Sequence, residues 1–198
     1  MSHQQPIIGV LALQGDFEAH RKALERAGAK AVEVRTAAEL AGVDGLVIPG
    51  GESTTMLKLL DRENLFEPLR RFGETKPVFG TCAGAILLAS EVLHPAQPSL
   101  GLMDLTIERN AYGRQLDSRI VPLEIEGRPS EAVFIRAPII RRVGSEVKVL
   151  AKYGNDPVLV EQGRHTVATF HPELGNDGRI HRQFVEKVAS QTNGQGGK

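Results

Sequence analysis

The sequence predicts an α/β fold with three layers, in which helices cover both faces of a doubly wound, mostly parallel sheet. Short apolar runs alternate with helical patterns through the first half of the chain, as in βαβ units. These runs are apolar at nearly every position, which is typical of parallel strands buried on both faces. Beyond Pro98, short β-like runs follow one another closely, and we interpret them as antiparallel strands that extend the same sheet.

The first half of the chain starts with an apolar run over residues 7–13. Asp16 is predicted to cap a helix that ends near Arg26 and stops at Gly28. Further elements are predicted in the order strand 31–34, strand 45–49, helix 54–60, helix 65–72, strand 77–80 and helix 85–89. Crossovers between parallel strands are right-handed, which favours the doubly wound arrangement.

The second half is predicted to be mostly β-structure within the same domain. Its predicted strands cover residues 120–125, 132–135, 147–151, 158–161 and 166–170. Turn residues separate the last three of these strands. A final amphipathic helix is predicted at residues 180–188. We therefore expect one domain over residues 1–190 and a polar, glycine-rich, disordered tail over residues 191–198.

Composition excludes several classes of function. Lys plus Arg and Asp plus Glu are balanced at 24 each, so no overall field attracts nucleic acid or an anionic membrane. No apolar run reaches the length of a membrane span, and the N-terminus lacks the features of a signal peptide. A single cysteine cannot form an internal disulfide and suits a reducing compartment. We expect a cytoplasmic protein that binds neither nucleic acid nor membrane.

Cys82, the only cysteine, lies at the predicted turn from a strand to a helix. The small neighbours in Gly80-Thr81-Cys82-Ala83-Gly84 permit the strained backbone of a nucleophile elbow. The positive end of the following helix favours a thiolate. A buried, unreactive thiol is the alternative, because free cysteine is among the most buried residue types. Cys82 is therefore a candidate nucleophile that needs a base.

A base for this thiol is available in Thr169-Phe170-His171-Pro172-Glu173-Leu174. If the segment is extended, His171 and Glu173 point to the same side, and the carboxylate can orient the imidazole. A thiol, a base and an orienting carboxylate are the set that nucleophilic catalysis requires. The other histidines are interpreted as ordinary core or surface residues: His3, His20, His94, His165 and His181.

Three loops are predicted at the carboxyl ends of parallel strands, where open α/β sheets bind ligands. They are Gln14-Gly15, Gly50-Gly51-Glu52-Ser53 and the Cys82 turn. Two glycines before a helix can direct backbone N–H groups at an anion, which suits a phosphate or an oxyanion. The sequence has neither a P-loop nor a dinucleotide-binding fingerprint. With a nucleophile nearby, we favour an oxyanion hole.

Together these motifs resemble the class I, or triad, glutamine amidotransferase family. The cysteine turn followed by His171-Pro172-Glu173 carries that resemblance. Five segments are similar to the glutaminase subunit of pyridoxal 5′-phosphate synthase, the PdxT/YaaE family: Leu13-Gln14-Gly15-Asp16, Pro49-Gly50-Gly51-Glu52-Ser53-Thr54-Thr55, Glu108-Arg109-Asn110-Ala111-Tyr112-Gly113-Arg114-Gln115, Phe134-Ile135-Arg136-Ala137-Pro138 and Phe170-His171-Pro172-Glu173-Leu174. The resemblance implies a class I glutamine amidotransferase-like, flavodoxin-like fold, with no cofactor and no metal.

The resemblance also implies a role for each matching residue. Cys82 attacks the side-chain amide of L-glutamine, His171 acts as base and then as acid, and Glu173 orients His171. Glutamine contacts are implied for Gly51, Glu52, Ser53, Arg109, Ile135 and Arg136, and oxyanion donors for the backbone N–H groups of Gly51 and Ala83. A solvated surface position is the alternative for Arg109. For Ile135 the alternative is a core position whose backbone alone meets the ligand.

A partner is implied as well: a synthase subunit of the PdxS/SNZ type, with which this family forms a large hetero-oligomer on a dodecameric core. Ammonia passes to that subunit, which makes pyridoxal 5′-phosphate from ribose 5-phosphate and glyceraldehyde 3-phosphate. Because hydrolysis without an acceptor wastes glutamine, we expect weak activity in the isolated chain. The Gly50–Gly51 peptide can turn either N–H or C=O toward the oxyanion site. Gln14, on a neighbouring strand end, is placed to sense docking.

Three other interpretations compete with this one. A triad glutaminase of a different amidotransferase, such as one serving imidazole or purine synthesis, would share the triad, but the segments at 108–110 and 134–138 argue against it. Cysteine hydrolases of the same architecture typically have histidine directly after the nucleophile, where this chain has Ala83. A regulatory subunit without activity would not need an intact triad.

Overall fold

The computed structural model of the chain describes residues 5–111 and 118–195. Its elements, in chain order, are β1 (Ile7–Leu11), α1 (Phe17–Arg26), β2 (Lys30–Val34), α2 (Ala37–Ala41), β3 (Gly45–Ile48), α3 (Ser53–Arg62), α4 (Phe66–Thr75), β4 (Val78–Thr81), α5 (Ala83–Leu88), β5 (Ala89–Leu93), β6 (Met103–Glu108), β7 (Arg119–Ile125), β8 (Arg128–Phe134), β9 (Ile139–Val143), β10 (Lys148–Tyr153), β11 (Asp156–Gln162), β12 (His165–Ala168), a short 3₁₀ helix (Pro172–Leu174) and α6 (Arg179–Gln195).

The main sheet has seven strands in the order β10-β11-β12-β4-β3-β1-β2. Strands β12, β4, β3, β1 and β2 are parallel, and β11 and β10 add antiparallel pairs at one edge. In β1, Val10 packs into the core on one face of the sheet and Leu11 into the core on the other. Both side chains are inaccessible to solvent. The predicted sheet, mostly parallel with an antiparallel extension, is confirmed.

Helices cover this sheet on both faces and complete the three layers. Leu24 of α1 and Phe184 of α6 belong to the core on one face. Met56 of α3 and Leu69 of α4 belong to the core on the other face. Because apolar side chains alternate between the two faces along each strand, both cores need a helical cover to exclude water.

Not all of the later strands extend the main sheet, and on this point the prediction is wrong. β7 and β8 form a separate hairpin, and β5, β6 and β9 form a third sheet. Strand β7 buries only alternate residues (Val121, Leu123 and Ile125), the pattern of a strand covered on one face. In addition, β12 runs parallel to β4 rather than antiparallel.

Several elements differ from the predicted ones. Helix α2 was not predicted, although Thr36 and Glu39 form a capping box at its start. Strands β5, β6 and β9 were not predicted either. Helix α6 extends beyond residue 190, with the Thr192 hydroxyl donating to the Val188 carbonyl oxygen over 3.1 Å, so Gln191 is helical and does not begin a tail. Residues 196–198 lie outside the described part of the chain. In the described ranges, no helix combines the length and apolar character that crossing a membrane requires.

The parallel strands end at one edge of the sheet, and the segments that follow them meet there. Cys82 follows β4, which lies between β3 and β12 in the sheet. Gly50 and Gly51 follow β3 on one side, and His171 follows β12 on the other. The strand order therefore brings together residues that are far apart in the sequence.

Candidate active site

Cys82 connects β4 to α5 in a strained conformation, with φ 49° and ψ −103°. Its N–H donates to the Ala168 carbonyl oxygen over 2.9 Å, which ties the turn to the neighbouring strand β12. Its own carbonyl oxygen accepts from the Ile86 N–H at the start of α5 over 3.2 Å. A positive φ at a residue with a side chain is costly and is retained where the surrounding structure holds it, as at a nucleophile elbow.

Gly84 allows α5 to pack directly against the backbone of β3. A Cβ atom at this position would lie 2.1 Å from the Ile48 carbonyl oxygen. Backbone cannot move aside as a flexible side chain can, so Gly84→Ala should lower the free energy of unfolding by about 1–3 kcal/mol, as other overpacking substitutions do. Denaturant unfolding measures this loss. Gly178→Ala is the matched control, because no described residue lies within 4 Å of its Cβ position. Equal stability of the two variants would contradict this packing.

His171 and Glu173 are in direct contact. Nδ1 of His171 lies 2.7 Å from Oε1 of Glu173, and both side chains are buried. The segment is not extended as predicted: Pro172–Leu174 is a 3₁₀ turn with proline at its start. This turn folds the carboxylate back under the imidazole, while the His171 N–H donates to the Val133 carbonyl oxygen over 2.8 Å. The predicted contact is present, but the reason given for it was wrong.

The electrostatic environment of His171 favours the imidazolium. Burial by itself lowers the pKa of this imidazole, but the hydrogen bonds and negative charges of Cys82 and Glu173 outweigh burial and raise the pKa of His171 to about 10. The Cys82 sulfur lies next to His171. It is also 3.9 Å from the Ile135 carbonyl oxygen. At neutral pH the arrangement therefore favours a protonated His171 beside the Cys82 sulfur.

The contact between Cys82 and His171 predicts how His171 titrates. Cys82→Ala removes one of the groups that hold the proton, so the pKa of His171 should fall below the value of about 10 in the wild-type protein. NMR of the ring nitrogens over a pH series measures the change. His165 is the internal control, since burial lowers its pKa to about 4 without a contribution from Cys82. An unchanged His171 titration in Cys82→Ala would contradict the pairing.

Behind Glu173 lies a second group of buried polar side chains that the sequence did not reveal. Nε2 of His20 lies 3.2 Å from Oε2 of Glu173 and 3.1 Å from the Thr81 hydroxyl oxygen. Nδ1 of His20 lies 2.9 Å from Nε2 of His181. We expected His20 and His181 to be ordinary core or surface histidines, and both are fully buried. The contact of His20 with the carboxylate and with His181 could not be predicted, because α1, α6 and Glu173 come from distant parts of the sequence.

A cleft of about 320 Å³ opens beside Cys82 and His171. Most of the residues singled out from the sequence line it: Gly50, Gly51, Glu52, Ser53, Cys82, Arg109, Ile135, Arg136 and His171. Glu173 lies beneath His171 with no exposed side-chain surface. Ala83 is buried as the first residue of α5. No role at the site was predicted for five further lining residues, Asp16, Ile86, Asn110, Pro138 and Leu174, although all except Ile86 lie in the quoted motifs. Tyr112 to Gln115, the second half of one quoted motif, lie outside the described residues.

Glu52 and Arg109 form a charged pair at the rim of this cleft. The Glu52 carboxylate caps α3 by accepting from the N–H groups of Thr54 and Thr55 over 3.0 and 2.7 Å. Burial acts to raise the pKa of Glu52, but these bonds and the Thr55 hydroxyl lower it to about 2. Nη2 of Arg109 lies 3.5 Å from Oε1 of Glu52 and donates to the Thr54 hydroxyl oxygen over 2.8 Å. Arg109 is buried, so the alternative of a solvated surface position is wrong.

The Gly50–Gly51 peptide lines the cleft next to Gly15, which lines it as well. A Cβ atom at Gly15 would be 1.8 Å from the Gly50 carbonyl oxygen but 3.7 Å from the Gly51 nitrogen, so the carbonyl is turned toward Gly15. Gly51 has φ +145°, in the region that favours glycine. The Gln14 side chain lies behind it, with Oε1 3.1 Å from the Cβ position of Gly51. This oxygen is buried and accepts no hydrogen bond from the described residues.

Ile135 and Arg136 lie beyond the end of β8 and line the cleft. The predicted strand included Ile135, but β8 ends at Phe134 and Ile135 is half-buried. Its carbonyl oxygen faces the Cys82 sulfur. Arg136 has φ +43° and an exposed side chain at the cleft. The cleft therefore combines a thiol, an imidazole and two guanidinium groups.

Comparison with known proteins shows what this chain resembles. The model of the SNO glutamine amidotransferase family matches residues 10–190. The chain is 61% identical to pyridoxal 5′-phosphate synthase subunit PdxT of Solibacter usitatus, over 91% of this chain and 98% of the relative. It is 53% identical to the protein of the same name from Thermus thermophilus, over 91% of this chain and 96% of that relative.

Solved structures agree with these relatives. A crystal structure described as a glutamine amidotransferase superposes with a TM-score of 0.86 at 49% identity, covering 91% of this chain and 98% of that one. The structure of PurLQS from Thermotoga maritima superposes with a TM-score of 0.65 at 18% identity, covering 97% and 99%. The second likeness is one of fold alone.

Proposed function

Because the chain belongs to the SNO glutamine amidotransferase family, we propose that it is the glutaminase subunit of a pyridoxal 5′-phosphate synthase. It hydrolyses L-glutamine to L-glutamate and ammonia, and the ammonia goes to a synthase subunit that makes pyridoxal 5′-phosphate. The observation that carries the chemistry is the buried contact of His171 with Glu173, directly beside a strained Cys82.

The first half of the reaction forms a thioester. The Cys82 thiolate attacks the side-chain amide carbon of glutamine, and a C–S bond forms as the carbonyl π electrons move to oxygen. When the tetrahedral intermediate collapses, the C–N bond breaks and His171 gives its proton to the departing nitrogen. Ammonia leaves, and a glutamyl thioester stays on Cys82. The raised pKa of His171 supports this sequence, because the imidazole already carries the proton that the leaving group needs.

The second half releases glutamate. His171, now neutral, takes a proton from a water molecule as that water attacks the thioester carbon. The C–S bond then breaks, the thiolate returns and glutamate leaves. Glu173 holds Nδ1–H of His171 throughout, which keeps Nε2 directed at the reacting atoms. Both halves need a stabilised oxyanion, for which we propose the backbone N–H groups of Gly51 and Ala83.

Glutamine recognition is proposed for the cleft wall. An amino acid carries one carboxylate and one ammonium group, and the cleft offers Arg109 and Arg136 for the first and the ionised Glu52 for the second. Gly51 and Ser53 complete the loop that precedes α3. We propose that Ile135 contributes its backbone, since its carbonyl oxygen already faces the sulfur.

We propose a synthase subunit of the PdxS/SNZ type as the partner, in a large hetero-oligomer built on a dodecameric core. Relatives at 47–61% identity are named as subunits of pyridoxal 5′-phosphate synthase, which supports this partner. PurLQS is similar to the chain only in fold, so it gives no support to a different amidotransferase. The Cys-His-Glu contacts favour an active enzyme over a regulatory subunit without activity. Cys82 is a free thiol in the structure, and a catalytic thiol suits a reducing compartment, so we propose the cytoplasm.

Activation by the partner is proposed to act through the Gly50–Gly51 peptide. With its carbonyl oxygen turned toward Gly15, a rotation of this peptide would exchange the positions of C=O and N–H. The buried Oε1 of Gln14, which accepts no bond from the described residues, lies beside Gly51 and can stabilise one orientation. Loss of one oxyanion donor costs roughly a hundred- to a thousand-fold in rate, enough to switch the enzyme.

Glutamine hydrolysis with and without the synthase subunit tests this account of control. We expect weak activity in the isolated chain, strong activation by the partner, and loss of that activation in Gln14→Ala. Gln183→Ala, which changes the same residue type on the surface of α6, should be activated normally. Full activity in the isolated chain, unchanged by the partner, would contradict the proposed control and leave the triad intact.

A further inference from the structure

The triad continues into the protein interior beyond Glu173. One oxygen of that carboxylate, Oε1, pairs with His171, while the other, Oε2, faces the ring of His20 at 3.2 Å. The side chains of His20 and Glu173 are both completely buried. Among the described residues, none makes an aligned hydrogen bond to Oε2, and the aligned hydrogen bond of His20 Nε2 is to the Thr81 hydroxyl. A buried carboxylate oxygen without a donor is costly, so the protonation of His20 matters to the triad.

The contacts of His20 select one tautomer. If Nδ1 carried the proton, the lone pair of Nε2 would face the negative carboxylate, and Oε2 would have no donor. With the proton on Nε2, the N–H donates to the Thr81 hydroxyl oxygen, and its partial positive charge lies on the side of the ring that faces Oε2 of Glu173, 3.2 Å from Nε2. Nδ1 of His20 is then an acceptor, and the ring nitrogen 2.9 Å away, Nε2 of His181, must be its donor.

His181 fits this assignment. Its Nδ1 is buried and has no partner among the described residues. With the proton on Nε2, Nδ1 carries no hydrogen, so no buried N–H is left without an acceptor. Burial lowers the pKa of His181 to about 4. Burial, followed by the proximity of His181 and His171, holds the pKa of His20 well below its usual value. Both rings are therefore neutral at physiological pH, as the tautomer requires.

We propose that His20 is a positioning residue for the triad, held by His181 in the tautomer whose Nε2–H supports the second oxygen of Glu173. The carboxylate then has a hydrogen bond with His171 at Oε1 and the electrostatic support of the His20 N–H at Oε2. Because α1, α6 and β4 each supply one side chain to this cluster, the orientation of His171 depends on the packing of three elements. The inference rests on the proposed glutaminase activity.

The wild-type protein provides the first test. NMR of the ring nitrogens at neutral pH should show His20 and His181 each with a single proton, on Nε2. This measurement needs neither substrate nor partner. A proton on Nδ1 of His20, or two protons on its ring, would overturn the inference whatever the enzyme's activity.

A matched pair of amide substitutions provides the second test. The Gln side chain can place its NH₂ group near the position of Nε2, whereas Asn reaches only the position of Nδ1. With the synthase subunit present, His20→Asn should lower kcat about ten-fold or more with KM nearly unchanged, in the range of other outer hydrogen-bond partners. His20→Gln should keep most of the activity. His165→Asn, at another buried histidine that accepts from the Val78 N–H, is the control and should keep kcat.

Non-additivity separates positioning from a structural role. In a Glu173→Gln background, His20→Asn should cost little further activity, because the group on which it acts has already been changed. A full additional loss in that background, or wild-type kcat in His20→Asn, would overturn the inference. If His20→Asn does not fold, His181→Asn removes the donor to His20 without touching Glu173, and the same results are expected. Inactivity of the wild-type enzyme with its partner would instead refute the proposed function.

Discussion

Cys82→Ala should abolish glutamine hydrolysis while the protein remains folded. The chain has no second cysteine that could take over, and loss of a nucleophile that acts together with its base costs about a million-fold. The substitution removes a single heavy atom at the cleft wall, so the fold should survive. Glutamate release with the synthase subunit present measures the effect, and circular dichroism checks the fold.

A control variant should remove one heteroatom outside the cleft. Ser90→Ala serves this purpose, because Ser90 lies in β5 and its hydroxyl donates to the Leu105 carbonyl oxygen of β6, away from the cleft. A glutamine-like electrophile such as a diazo-ketone analogue should label wild-type protein at Cys82 and leave Cys82→Ala unlabelled. Labelling or turnover that persists in Cys82→Ala would refute Cys82 as the nucleophile.

His171→Asn should have the next largest effect, a loss of about ten-thousand-fold or more in kcat. Without the imidazole, neither the thiolate nor the departing nitrogen has a proton partner. Glu173→Gln should cost less, because an amide can still accept from Nδ1 of His171 and only charge and orientation are lost. Steady-state kinetics with the synthase subunit gives both values.

His165→Asn is the matched control for His171→Asn, since it replaces another buried histidine, at the start of the strand that His171 follows. It should lower stability rather than kcat, as its ring accepts the N–H of Val78 at the opposite end of β4. Wild-type rates in His171→Asn would show that the triad assignment is wrong. A larger loss in Glu173→Gln than in His171→Asn would show that the carboxylate does more than orient the base.

The strands that could be predicted are those whose local sequence pattern matches their burial in the folded protein. Strands β1, β3 and β4 are apolar on both faces, and each runs into a short polar or glycine-rich segment, so both the strands and the site edge followed from the sequence. The direction of β12 and the separate hairpin of β7 and β8 could not be predicted, because strand pairing depends on contacts between distant parts of the chain in the folded core. A short alternating strand suits a main-sheet edge and a separate hairpin equally well.

The candidate site also has a part that could be predicted from the sequence and a part that could not. The grouping of Cys82, His171 and Glu173 could be predicted, because each lies in a short motif with a chemical reason for its residue types. The contact of His20 with His181 could not, since 161 residues separate them and neither has a local motif. The 3₁₀ turn after His171 was also hidden: an extended segment and a tight turn both bring residues i and i+2 close together.

The most direct test of the proposed function follows the amide nitrogen of glutamine. The chain is mixed with its synthase subunit, ribose 5-phosphate, glyceraldehyde 3-phosphate and glutamine labelled with ¹⁵N at the side-chain amide, and the product is analysed by mass spectrometry. We predict labelled pyridoxal 5′-phosphate with the wild-type chain and none with Cys82→Ala, whose complex should still make unlabelled product from added ammonia. Product without label from the wild-type complex, with glutamine as the sole nitrogen source, would contradict the account.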